Sequence, residues 1–456
     1  MSKLVGFATF TVLAAVAQVA CSPAAPGPAA SNSTPDGGGD SDAGAVVQST
    51  CIAPTGAPVT HEGEIKVDET WSADSVHLIP HDFNILAKVT IAPCAQVQIG
   101  GGATVTVGAS GSVYARGEAS QPITIGAQDA TKPWSMIRAI DSTIDLAYAT
   151  VSDGGQPASN AVPDTVGAFM MQSTSGDGLI PMLRVDHVTI QGSRSNGVVL
   201  MGAGFSPDSK ALTITKAAQF PMRIGAATIG RVPAGTYTGN GTDAILVIGG
   251  VGTGLSITED ETVMNHGVPY QLGDGQASAE LRVGNGGPLA TLTIEAGVTM
   301  AFKKGGGLFV EFASSTNPAS GALVANGLPA KPITFTSAEA APAAGDWVGV
   351  AFNGTPSQTD KLDYVVIEYA GGDSSTIAGC PLNTKVSAGL LLLGGKPSAS
   401  FLTNSTIKSS ARDAVFRGWI GADIDFTSSN TFRDIPGCHE TNVLVQQGVC
   451  PMTACQ

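Results

Sequence analysis

The sequence predicts an all-β fold, a solenoid of short stacked strands written in two homologous units. Three observations predict it. The run Ala109-Ser-Gly-Ser-Val-Tyr-Ala-Arg-Gly-Glu-Ala-Ser-Gln-Pro-Ile-Thr-Ile125 recurs without a gap as Ala319-Ser-Gly-Ala-Leu-Val-Ala-Asn-Gly-Leu-Pro-Ala-Lys-Pro-Ile-Thr-Phe335, and self-similarity of this kind marks a repeat architecture. Short runs of alternating polarity, such as Val97-Gln-Ile-Gly, Ala103-Thr-Val-Thr-Val107, Ser112-Val-Tyr114 and Ile123-Thr-Ile125, follow one another with turn residues between them; that is a strand signal. The chain holds 58 glycines, with 13% charged and 5% aromatic residues. This composition suits strands joined at tight corners, because Gly takes positive φ at low cost.

The internal correspondence runs in order along the chain. Glu69-Thr-Trp71 matches Glu261-Thr-Val263, and Thr90-Ile91 matches Thr293-Ile294. Further on, Trp134 matches Trp347, Leu146-Ala-Tyr148 matches Leu362-Asp-Tyr364, and Val185-Asp-His-Val-Thr-Ile190 matches Leu402-Thr-Asn-Ser-Thr-Ile407. The offset drifts only from about 190 to about 217 residues, as expected of colinear units with small loop insertions. The units are read as 51–250 and 251–456. A pair of β-sandwiches would also give short strands and turns. It does not explain successive lines of inward residues such as Leu183, Val185, Val188 and Ile190. Asn240 to Val251 keeps strand character with no charged or Pro-rich linker, so one continuous solenoid with a seam near residue 250 is expected.

Residues Thr291 to Gly372 carry a resemblance. The segments Thr291-Leu-Thr-Ile-Glu-Ala-Gly-Val298, Gly321-Ala-Leu-Val-Ala-Asn-Gly327, Lys331-Pro-Ile-Thr-Phe-Thr-Ser337, Gly345-Asp-Trp-Val-Gly-Val350 and Leu362-Asp-Tyr-Val-Val-Ile-Glu-Tyr-Ala-Gly-Gly372 resemble bacterial secreted right-handed parallel β-helix repeat proteins of the pectate-lyase-like fold. The first copy departs from the pattern, with Cys94 in place of Gly297 and Ser152-Asp153 in place of Glu368-Tyr369. The resemblance implies the handedness and says nothing of the chemistry, since these are core and corner positions. With rungs of roughly 25 residues stacked about 4.8 Å apart, about 400 residues would make some 16 rungs. Each end of such a stack needs a cap.

The leader supplies an address. Met1-Ser-Lys3 precedes an apolar run from Leu4 to Ala17, too short to span a bilayer and typical of a removable signal peptide, 1–20. Val19-Ala-Cys21 resembles the end of a bacterial lipobox, with Gln18 where Leu is usual; it marks Cys21 for lipidation. The Pro, Gly, Asp and Ser-rich stretch 21–50 reads as a disordered tether. Membrane attachment through the lipid, at the cell envelope or outer surface, is the expected location.

The remaining cysteines, Cys51, Cys94, Cys380, Cys438, Cys450 and Cys455, form an even set suited to disulfides in an oxidising compartment. Cys51 with Cys94 is expected at the N-terminal cap, with the other four pairing at the C-terminal end in an order left open. A zinc site at Cys438, His439, Cys450 and Cys455 is disfavoured, for it lacks a CxxC pair. The acidic Asp36, Asp40 and Asp42 lack EF-hand spacing. No metal or cofactor is expected.

The formal net charge of −14 becomes −15 when Lys3 leaves, which argues against a nucleic-acid partner. Enzymes of the resembled fold cleave polysaccharides, by elimination with cationic stabilisation or by paired carboxylates. The candidates are Asp141, Asp145, Asp153, Asp186 and His187 in the first unit, and Asp363, Glu368 and Asp373 in the second. Asp186 and His187 are adjacent in a strand and so should point to opposite faces; serving one site together would need a bulge or corner. Asp145 and Asp363 sit where Asp caps turns. No residue is therefore assigned as catalytic. The expected function is a non-catalytic, adhesin-like binding or structural lipoprotein meeting an extracellular polysaccharide or an envelope protein. The alternative is a polysaccharide lyase or glycoside hydrolase.

Overall fold

The computed structural model describes residues 48–158, 165–174, 182–250, 255–275, 279–311, 319–374, 385–419 and 424–441. The signal peptide, Cys21 and the tether to residue 47 lie outside these residues. Cys380, Cys450 and Cys455 also lie outside them.

Val47–Gln456 forms one compact unit, built from parallel sheets. A 14-stranded sheet begins at Glu64–Ile65 and ends at Thr431–Arg433, and a 12-stranded sheet runs from Val59–Thr60 to Gly235–Thr236. Six-stranded and five-stranded sheets begin at Ser256–Ile257 and Glu261–Val263. Each strand pairs with one a coil later: Gln98 sits beside Gly126, and Ser152 beside Gln191. The pattern is consistent with a parallel β-solenoid. Gln96–Ile99 and Thr104–Val107 alternate half-buried and buried positions, so β-branched residues fill the interior while polar ones face out. Buried aliphatics from Ile65 to Ile407 line this interior, each worth about 1.5–3 kcal/mol of burial.

Corners are made by single residues in the left-handed region. Tyr148 (φ 45°), His187 (φ 55°) and Ala211 (φ 52°) bend three paired strands at one level, and Tyr364 (φ 50°) and Asn404 (φ 49°) bend two more. An L-residue there costs roughly 1–2 kcal/mol, so rung packing must impose the bend. Trp134 and Trp347 are fully buried. Their indole N–H groups donate to the carbonyls of Ser152 (2.9 Å) and Glu368 (2.8 Å), each just before a left-handed residue, Asp153 and Tyr369 (both φ 60°). The turns Gly117–Gln121 and Gly327–Lys331 also share a backbone pattern. Gly117 N donates to Ala147 O and Gly327 N to Asp363 O, both at 2.8 Å, and residues 118 with 121 and 328 with 331 exchange reciprocal bonds of 2.9–3.1 Å.

The ends are closed by different chemistry. Cys51 and Cys94 form the expected disulfide across 43 residues. Near the C-terminal end, Arg417 and Glu440 make a fully buried ion pair, Nε to Oε1 3.0 Å. Glu440 Oε2 accepts the Phe426 N–H at 3.0 Å, and the guanidinium lies over Trp419. Cys438 is disulfide-bonded, its partner lying outside the described residues.

Candidate functional site

Most acidic candidates prove to be tied into local structure. Asp141 accepts the Thr174 N–H at 2.8 Å and also takes its hydroxyl. Asp153 is a corner residue. Asp363 accepts from Thr403 Oγ1 (2.8 Å) and Asn404 Nδ2 (2.9 Å) and faces Lys361 at 3.7 Å. Burial would raise its pKa, but these partners hold it below the usual carboxylate value. Glu368 is bound by Thr336 Oγ1 (2.8 Å) and Lys408 (2.7 Å). Asp373 pairs with Lys385.

The other three candidates, Asp145, Asp186 and His187, converge around Arg184, which sequence reasoning missed. Asp145 is buried and receives Arg116 through Nε (2.8 Å) and Nη2 (2.7 Å), and Arg184 through Nη1 (3.2 Å). Arg184 Nε also donates to Asp208 at 2.6 Å, and its Nη2 lies 4.0 Å from Asp186. Asp186 faces Lys210 at 3.7 Å. Asp186 and His187 meet through the corner that such a pair in a strand requires. The left-handed backbone at His187 turns both outward, with Nδ1 and Oδ1 2.7 Å apart and the imidazole stacked on Tyr148 at 4.7 Å. The signal was visible in the inward line, which slips from period two between Val185 and Val188.

This cluster is electrostatically matched, with three carboxylates against Arg116, Arg184 and Lys210. Ser206 and then Arg184 hold the Asp208 carboxyl at about 2. A general acid instead needs a carboxyl raised toward the working pH. Among the described residues, burial raises the Asp360 carboxyl to about 7, and its Oδ1 is occupied by the Leu323 N–H at 2.7 Å. An open groove of about 410 Å³ near Leu289, Thr355, Gln358 and Lys396 is lined by no carboxylate. Among the described residues no group of three His, Cys, Asp or Glu is placed to hold a metal ion.

A second arrangement lies on the 12-stranded sheet, past the corner from the charged cluster. Gln96, Thr124, Thr150, Thr189, Thr213 and Thr236 are neighbours in register across six strands. Each of the first four threonines is flanked by buried apolar residues, so its side chain stands outward. Gln98, Ser152, Gln191 and Thr215 extend the face in the adjacent row. These two rows carry no charge. Thr299, Thr334, Val366, Thr406 and Thr431 form a like column in the 14-stranded sheet. The sequence signal was the recurring apolar-Thr-apolar triplet, as in Ile123-Thr-Ile125, Val188-Thr-Ile190 and Ile333-Thr-Phe335.

No family model, curated protein or solved structure matches the chain.

Proposed function

We propose that the chain is an exported, lipid-anchored right-handed parallel β-helix of two homologous units that binds an extended uncharged polysaccharide and leaves it uncleaved. The observation that carries this reading is the threonine column of the 12-stranded sheet. Parallel strands repeat about every 4.8 Å, so the column offers hydroxyl donors and acceptors at a regular spacing on an uncharged face. A polymer of hydroxyl-bearing sugars has repeating partners for such a row, whereas an acidic polymer gains nothing from it and is repelled by the net charge of −14. The ion pairs of Asp145, Asp186, Asp363, Glu368 and Asp373 support the non-catalytic part.

The two-unit reading rests on the matched Trp134 and Trp347 hydrogen bonds, the matched Gly117 and Gly327 turns and the one-for-one registers of the two threonine columns. A cleavage reading is favoured by one observation, the outward Asp186–His187 pair, in which the His187 side chain is half-exposed.

The test is retention of the full chain on insoluble neutral glucans, xylan, mannan and chitin, with polygalacturonate as the acidic comparison and product release recorded throughout. Retention on a neutral polymer that Thr150→Lys with Thr189→Lys reduces by at least about tenfold, with no products, is the expected result. About 1.4 kcal/mol of lost contact suffices for that factor. Products that vanish in His187→Ala would replace this reading with the enzymatic one.

A further inference from the structure

The N-terminal coil contains a titratable group that neither the fold nor the proposed binding uses. His61 and His77 are both nearly buried, against Trp71 and Phe83. His61 Nε2 lies 2.9 Å from His77 Nδ1, and His77 Nε2 lies 3.0 Å from the Ser72 carbonyl. A carbonyl only accepts, so His77 carries its proton on Nε2 and presents Nδ1 as acceptor. His61 must then donate from Nε2. With both rings neutral, one N–H donor and one acceptor meet at each of these contacts. His61 also stacks on Trp71 at 4.4 Å and meets Phe83 edge-on at 6.0 Å.

The groups facing His61 are few among the described residues. Val76–Ile79 contributes His77. Glu69–Trp71 contributes Glu69, whose Oε2 lies 3.8 Å from His61 Nδ1 and accepts the Trp71 indole N–H at 3.2 Å. Phe83–Ile85 and Val59–Thr60 bring no charge. A proton added at His77 Nδ1 would set two N–H donors against each other at hydrogen-bonding distance while His61 keeps its proton on Nε2. A proton added at His61 Nδ1 would place a cation inside an aromatic stack.

We propose that the His61–His77 pair is an acid-operated latch on the first coil, closed while both rings are neutral and opened by protonation, with Cys51–Cys94 confining the opening to the loop it closes. Burial holds the His61 pKa below its usual value, His77 lowers it further and Glu69 opposes. The open state then takes up protons first as pH falls below about 6.5, so closure weakens with acidification. Opening would bare the apolar end of the interior at Ile65, Trp71 and Phe83.

The experiment is amide hydrogen exchange of the full chain at pH 7.5 and 5.0, corrected for intrinsic rates, comparing peptides within 59–79 and 280–310. Protection within 59–79 is expected to fall by roughly tenfold or more while 280–310 holds, as local opening requires. His61→Gln keeps a donor toward His77 without a titrating group at 61 and should shrink that pH response. An equal response in His61→Gln, no response in the unaltered protein, or parallel loss in both regions overturns the latch. A separate readout is the imidazole ¹⁵N shift of the unaltered protein. A neutral His61 ring protonated at Nε2 is expected at pH 7.5, and a His61 ring that titrates at or above the usual value overturns the proposal.

Discussion

Asp360→Asn should stabilise the protein at alkaline pH, and the size of the effect follows from one buried carboxyl. Asp360 is 6% exposed, its Oδ1 accepts the Leu323 N–H at 2.7 Å, and its Oδ2 has no hydrogen-bond partner among the described residues. Burial raises its pKa from 3.8 to about 7, against the bonds from the Leu323 and Ser357 backbone. Between those two values the folded protein holds a proton that the unfolded chain has lost. Stability therefore falls as pH rises from about 4 to about 7, and the full cost is present above 7. At 1.36 kcal/mol per pH unit, the interval amounts to at most about 4 kcal/mol. Asn keeps the amide-accepting oxygen and carries no charge. Urea unfolding of both proteins at pH 4.5, 6, 7 and 8.5 gives a difference curve that removes all other titrations. That curve should be near zero at pH 4.5 and rise by a few kcal/mol in favour of Asn at pH 8.5. A flat curve, or an Asn variant less stable at pH 8.5, would refute the argument that desolvation governs this carboxyl.

Two further outcomes follow from buried contacts. Glu440→Gln removes one carboxylate from Arg417, 1% exposed; a loss of about 1.5–3 kcal/mol is expected, read as faster amide exchange in peptides covering 413–419. Trp134→Phe and Trp347→Phe each remove one indole donor to a corner carbonyl and should each cost about 1–3 kcal/mol in thermal unfolding; a difference above that range between the two would argue that their positions are not equivalent.

Much of the architecture was legible because solenoid geometry repeats its constraints. The alternation in Val97–Gln98–Ile99 and Thr104–Val107 reports inward and outward positions directly, and the pairing of Cys51 with Cys94 follows from their place at the first coils. The corners were less legible. Tyr148, His187 and Asn404 take a left-handed conformation that composition assigns to Gly, because neighbouring coils impose the bend. The charged cluster was hidden for another reason. Arg116, Asp145, Arg184 and Asp208 are separated by 24 to 39 residues along their contacts, and only the register between coils makes them neighbours.

That register also bears on the two threonine columns. Gln96 beside Thr124 corresponds to Thr299 beside Thr334, yet the first pair lies in the 12-stranded sheet and the second in the 14-stranded one. The exchange occurs where Ile245–Ile248, paired to Met222–Gly225 on one side, is paired to Tyr270–Leu272 on the other. The 14-stranded sheet is thus continuous in hydrogen bonding but composite in the proposed homology: past the seam it is built from counterparts of strands that the first unit places in the 12-stranded sheet. The corresponding columns of the proposed units therefore lie in different sheets.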